Sequence, residues 1–178
     1  PFIRKNGSGA DDSTHRYNDY VLIDTLFGGA RNAFIDVTSN EEDNPENGVT
    51  IDINGGTMFA VFGGNNVGGS VANTSTVFIN VNNTKLLPSD GEIVESYITG
   101  YGRDFGIRYL YGGGNKAATA PSDAANGSTL VHVHYCEENT ICDLYGGGNA
   151  ADTKNNKIIV DGGRIHRVFG GGNGAGIA

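Results

Sequence analysis

Two histidines in the segment VHVH are the residues of this sequence with the clearest capacity for chemistry. His132 and His134 are separated by one residue, so on a β-strand their side chains lie on the same face. Two imidazoles on one face can bind zinc, but no third ligand is visible at a suitable spacing unless His166 lies on a neighbouring strand. The simpler interpretation is a solvated polar face, and the sequence predicts no metal site and no cofactor.

Two cysteines lie close together in the segment CEENTIC, as Cys136 and Cys142. In a secreted protein such a pair most simply closes a small disulfide loop. Two reduced thiols in the core are the alternative. No CxxC motif is present, so disulfide-exchange chemistry is not indicated.

Aspartates are scattered along the chain. Glycoside-cleaving enzymes need paired carboxylates, and β-helical polysaccharide lyases and hydrolases cluster them with basic residues on one outer face. Asp52 and Asp161 come at similar points of the repeat described below, but two or more repeats apart. We therefore predict a protein without enzymatic activity, with a polysaccharide lyase or hydrolase as the alternative. The remaining aspartates considered are Asp24, Asp36 and Asp143.

Three tyrosines surround a Gly-rich stretch and would offer rings to a glycan. They are Tyr97, Tyr101 and Tyr109. Packing in the core or in loops is the other interpretation of these rings. An acidic run could similarly hold calcium, with a solvated loop as the simpler interpretation; it contains Glu41, Glu42, Asp43 and Glu46.

Composition bounds the classes of function. Only 18% of the residues are charged and the net charge is −8, which argues against a nucleic-acid partner because such partners need basic stripes. No run of 18 apolar residues exists, so no membrane span is predicted. The chain begins at Pro1 without an initiator Met or a signal-like segment, which predicts a mature or excised piece. Few Lys and Arg with abundant Gly, Asn, Ser and Thr favour a secreted or cell-surface location.

A phrase of eight residues recurs five times, and it must position all of these side chains. It reads LFGGARNA at 26–33, VFGGNNVG at 61–68, LYGGGNKA at 110–117, LYGGGNAA at 144–151 and VFGGGNGA at 168–175. Its aromatic anchors are Phe27, Phe62, Tyr111, Tyr145 and Phe169. Apolar residues stand one and four residues before every anchor. Four residues after the anchor, four of the five copies carry Asn, as Asn66, Asn115, Asn149 and Asn173, and the first copy carries Arg31.

Short β-branched runs separated by glycines are typical of strands. The shortest spacing between anchors predicts one coil of a three-faced solenoid, and the longer spacings predict the same coil with inserted loops. We therefore expect an all-β parallel β-solenoid of five or six coils with little or no helix over 21–178, preceded by a polar arm or cap over 1–20. Stacked coils would align the anchors in an aromatic column and the asparagines in an amide ladder.

With its preceding IxGGxxxxVFGGGN pattern, the phrase resembles Gly-rich β-helical repeats of secreted and surface-anchored proteins in Bacteroidota-type bacteria. The resemblance implies a surface location and a structural, adhesive or glycan-associated role, and it carries over no catalytic motif. The expected partners are further copies of the chain stacked end to end, or the remainder of a longer solenoid, and glycans.

Overall fold

The computed structural model describes residues 22–35, 48–71, 76–84, 105–119 and 128–174. These residues form nine β-strands and no helix. The strands are β1 (Leu22–Phe27), β2 (Gly48–Asn54), β3 (Thr57–Phe62), β4 (Thr76–Asn83), β5 (Ile107–Tyr111), β6 (Ser128–Val133), β7 (Thr140–Tyr145), β8 (Asn155–Val160) and β9 (Arg164–Phe169). The described part contains no helix with the length and apolarity needed to cross a membrane.

The chain alternates between two parallel sheets. The odd-numbered strands form a five-stranded sheet in the order β1-β3-β5-β7-β9, and the even-numbered strands form a four-stranded sheet in the order β2-β4-β6-β8. Every pairing is parallel, and the sheets are not closed. The prediction of an all-β, parallel structure is confirmed.

A third regular face is not formed by the described residues. Where it was expected, isolated parallel bridges join Asn32 to Gly68 and Ile35 to Val71. The next pair of segments on this side is joined by a single backbone hydrogen bond, which Val71 N donates to the Thr119 carbonyl at 3.1 Å. The segments after each glycine corner are short and irregular, so they stack without building a sheet.

The hydrophobic core lies between the two sheets. In the four-stranded sheet, alternate residues point inward, as period-2 patterning requires; examples are Ile79, Val81, Val131 and Val133. In the five-stranded sheet, the inward residues are those one and four positions before each anchor, such as Leu110 and Ile107. Each such aliphatic side chain contributes about 1.5–3 kcal/mol when fully buried.

The three-residue spacing of these inward positions has a local cause. The residue three positions before each anchor is skipped in the register of every strand pair of the five-stranded sheet. Two consecutive side chains therefore project from the outer face, as in a β-bulge. In β7 these are Cys142 and Asp143, whose Sγ and Oδ1 atoms lie 3.7 Å apart.

Close approach of neighbouring strands explains the first glycine of each corner. A Cβ on Gly63, Gly112 or Gly146 would press into the carbonyl oxygen of the equivalent glycine on the next strand. These glycines do not have positive φ; within the described residues the tight β2–β3 and β8–β9 turns do, at Gly56 (φ 99°) and Gly163 (φ 92°).

Several predicted features lie outside the described residues. They are the arm over 1–20, the acidic run at 41–46, Asp36, Tyr97 and Tyr101.

The glycine corners provide a matched pair of substitutions. Gly112→Ala should destabilise the fold by ~1–3 kcal/mol, because the new methyl group overpacks against the carbonyl of Gly146. Gly170→Ala, at the same repeat position on the last strand, meets nothing within 4 Å and should change stability by no more than about 0.5 kcal/mol. Urea denaturation of dilute protein measures both. If both substitutions lower the free energy of unfolding equally, contact between neighbouring glycine corners is not the reason for the destabilisation.

Candidate functional site

The five aromatic anchors form one continuous stack. They pair in register along the five-stranded sheet, and successive ring centroids lie 4.9, 4.8, 4.8 and 4.7 Å apart with interplanar angles of 11° or less. Burial raises the pKa of Tyr111 to about 12. The stack is a cluster separate from the core, on the opposite face of the strands, because each anchor directly follows an inward aliphatic residue.

The asparagines four residues after the anchors form a hydrogen-bonded ladder. Asn115 Nδ2 donates to Asn66 Oδ1, Asn149 Nδ2 to Asn115 Oδ1, and Asn173 Nδ2 to Asn149 Oδ1, each at 2.9 Å. Every amide therefore donates toward the earlier copy of the repeat, and the ladder has a direction. It begins at Asn66 because Arg31, the residue at the same position in the first copy, has no acceptor to offer.

Asn65 is a structural residue that the sequence analysis did not single out. It stands where the last three copies have Gly, and it is fully buried. Its Oδ1 accepts from Ala30 N at 2.7 Å, and its Nδ2 donates to the carbonyls of Ala33 (2.7 Å) and Gly68 (3.0 Å). The only signal was the first Asn in VFGGNN, which stands in place of the third Gly of the GGGN pattern.

An ion pair lies on the outer face of the five-stranded sheet. Asp143 on β7 is buried, and its two oxygens accept from Arg167 Nε at 2.7 Å and Arg167 Nη2 at 2.5 Å. These hydrogen bonds lower the pKa of Asp143. The sequence analysis left Asp143 among scattered carboxylates, although Asp143 and Arg167 both stand two residues before an anchor and the repeat alone would have placed them side by side.

The two cysteines are free thiols in this structure, and the disulfide that the sequence favoured stays a prediction. Cys142 projects outward from β7, where its Sγ lies 4.0 Å from His166 Nδ1, and burial raises its pKa. Cys136 lies in the β6–β7 connection, with its Sγ 3.7 Å from Asn83 Oδ1. The two residues thus have different neighbours in the structure.

Two groups of three side chains in the described part have ligand atoms close enough to share a metal ion. One contains His132, His134 and Asp161, and the other contains Cys142, Asp143 and His166. His166 therefore does not join the other two histidines; Asp161, which follows β8, takes that place.

Asp52 and Asp161 do not lie at the separation of a glycosidase carboxylate pair. Asp52 on β2 accepts from Asn80 Nδ2 at 2.8 Å, and β4 and β6 separate β2 from β8, which precedes Asp161. Three strand spacings amount to about 14 Å, beyond the ~5–9.5 Å between glycosidase carboxylates. Tyr109, the described member of the three predicted glycan contacts, is half-buried and packs edge-to-face on Phe59 at 5.4 Å.

No family model, curated protein or solved structure matches this chain.

Truncation within the aromatic stack should depend on position. Tyr145→Ala should destabilise by ~3–5 kcal/mol, because its buried ring stacks on both Tyr111 and Phe169. Phe169→Ala should cost roughly 1–2 kcal/mol, because that ring stacks on one described neighbour and is partly exposed. Chemical denaturation compares the two, and a near-neutral Tyr145→Ala would show that the stack contributes little.

Loss of the Arg167 side chain should produce a pH-dependent destabilisation. Because the folded-state pKa of Asp143 is lowered, its ionised form contributes stability above the unfolded-state value of about 3.9, and this contribution is lost as the pH falls. Arg167→Met should therefore lower the denaturation midpoint at pH 7, and the difference from wild type should narrow below about pH 4.

Arg164→Met, on the same strand, is the control and should show no such pH dependence. If the difference in denaturation midpoint between Arg167→Met and wild type stays constant from pH 7 to pH 3, the ion pair between Asp143 and Arg167 is not its cause.

Proposed function

We propose that the chain is a parallel β-solenoid and serves as an extracellular structural module that stacks end to end. Strands alternate between the two sheets, and each pairs with the next-but-one strand in the same direction. One strand of each sheet with its glycine corner then makes one coil. An extracellular location is supported by composition and by the resemblance of the repeat.

The observation that carries the proposal is exposed core at the end of the stack. Val133, Leu144 and Tyr145 in β6 and β7 are 0%, 0% and 8% exposed. Their register partners on the last strands are Val160, Val168 and Phe169, and these are 46%, 50% and 40% exposed. Repeat proteins need a covered terminal coil for solubility, and the described residues do not cover this one.

Backbone hydrogen bonding makes the two ends complementary. The glycine after each inner anchor donates to the anchor carbonyl of the next strand, as Gly146 N does to Phe169 O at 2.8 Å. Within the described part of the chain, Gly170 N has no acceptor and Phe27 O has no donor. A second copy placed with its β1 on β9 would satisfy both groups, and head-to-tail contacts of this kind generate filaments.

Side chains at the two ends agree with the same arrangement. Asn173 Oδ1 is the open acceptor at the end of the amide ladder, and Arg31 of a second copy would bring donors to it. The two end strands of each sheet also differ in charge, because β8 and β9 carry Lys157, Arg164 and Arg167, whereas β1 and β2 carry Asp24 and Asp52. Complementary charge favours the correct partner and speeds its encounter. We therefore propose that a second copy of this chain covers the open end; a further coil of the same polypeptide, placed in the same register, is the alternative.

Glycan binding or degradation has weaker support. Asp52 accepts from Asn80, Asp143 accepts from Arg167, Asp161 lies against His132, and Tyr109 packs against its own sheet.

End-to-end assembly is tested by placing a bulky side chain at the glycine corner that follows β9. The wild-type chain should form oligomers whose size rises with concentration in size-exclusion chromatography with light scattering, and rods in electron micrographs. Gly170→Val should leave a folded monomer, because its side chain would occupy the position of the next copy's corner backbone. Tyr135→Ser is the control, since Tyr135 is 75% exposed but lies between β6 and β7, away from the stacking surfaces.

A wild-type chain that stays monomeric at its solubility limit would refute the proposal. So would a Gly170→Val variant that assembles like wild type. The first outcome is expected if residues 1–21 of the same chain cover the open edge.

A further inference from the structure

Three ligand-bearing side chains meet on the outer face of the four-stranded sheet. Val131 and Val133 point into the core, so His132 and His134 project from the opposite face. Asp161 is brought beside them because β8 pairs with β6, and Asp161 N donates to Val133 O at 2.9 Å. His132 Nε2 lies 2.6 Å from Asp161 Oδ2, and the centroids of the two imidazole rings are 3.7 Å apart.

We infer that His132, His134 and Asp161 bind a divalent transition-metal ion, with Zn²⁺ as the expected occupant. Their ligand atoms all lie within 4.8 Å of one another. Zinc bonds of about 2.0–2.2 Å in tetrahedral geometry place neighbouring ligand atoms about 3.3–3.5 Å apart. Small side-chain rotations close that difference, because the histidines are only partly buried and Asp161 is exposed.

The donor set favours a metal of the zinc type. Two imidazole nitrogens and one carboxylate suit zinc and its first-row neighbours, whereas calcium and magnesium prefer oxygen ligands alone. Three protein ligands leave a fourth coordination position for water, as in open zinc sites. The partial exposure of the three residues gives the ion a direct path to the site.

The second group of ligand-bearing residues is a poorer cation site. Both oxygens of Asp143 are bound by Arg167, and the guanidinium of Arg108 adds positive charge beside Cys142 and Asp143. A metal there would have to displace a guanidinium and deprotonate a thiol whose pKa is raised by burial. We therefore expect His134 to be a metal ligand and His166 not to be one, and substitution of each histidine tests this difference.

Isothermal titration of the metal-free chain with ZnCl₂, and visible absorption of the Co²⁺-loaded chain, provide the test. We expect one saturable ion per chain. His134→Asn and Asp161→Asn should each weaken Zn²⁺ binding at least tenfold, since loss of residues that merely support a ligand costs ~10–100-fold. Both variants should also change the Co²⁺ spectrum. His166→Asn is the matched control and should bind like wild type.

Three outcomes would overturn the inference: no saturable Zn²⁺ binding by the folded wild-type chain, full affinity in both site variants, or an equal loss in His166→Asn. Asp161→Asn preserves the size of the side chain, so its fold is expected to persist, and far-UV circular dichroism verifies this for each variant. The inference does not depend on end-to-end assembly, because one chain supplies all three ligands.

Discussion

The backbone contact between successive glycine corners is the constraint on which this structure depends. At the residue after each of the first four anchors, the amide donates to the next strand's anchor carbonyl at 2.8–2.9 Å, and the space a Cβ would need is already filled. Glycine is required for proximity here, more than for positive φ. Because neighbouring corners can approach in only one register, side chains at equivalent repeat positions lie above one another in columns, at the strand spacing of about 4.8 Å.

The columns explain which positions repeat and which vary. An aromatic ring is stabilised by stacking on another ring, and a side-chain amide is stabilised by hydrogen bonds to amides above and below it. The aromatic and Asn positions therefore recur in successive copies of the repeat. Like charges directly opposite each other are destabilising, so an outward column cannot repeat one charged residue. The column containing Asp143 and Arg167 accordingly holds neighbouring opposite charges. Variation on the outer faces is thus a requirement of the architecture, and it allows single strands to contribute different chemistry.

Sequence periodicity was sufficient to predict an all-β chain, the parallel pairing and the alignment of the anchors, because these follow from the repeat. It could not separate the aromatic stack from the core, since that depends on the skipped residue in each strand of the five-stranded sheet. It also missed the approach of Asp161 to His132. The segment VHVHYC lacks the Gly-Gly turn that made other strands alignable, so the register between β6 and β8 was not readable. The cysteines were judged by their sequence separation, whereas their strand and loop positions decide their neighbours.

A stack of this kind is stabilised mainly by contacts between adjacent layers, so its ends differ energetically from its middle. The last layer, formed by β8 and β9, has a described neighbour on one side only and exposes apolar residues that inner layers bury. Its local stability is therefore expected to be the lowest of the described layers. The group of His132, His134 and Asp161 spans β6 and the end of β8, so an ion held there would tie the last layer to the one beneath it. Binding to the folded layer alone stabilises that layer by mass action. The inferred ion would therefore help to keep ordered the surface on which the proposed second copy stacks, so the two proposals share a physical rationale.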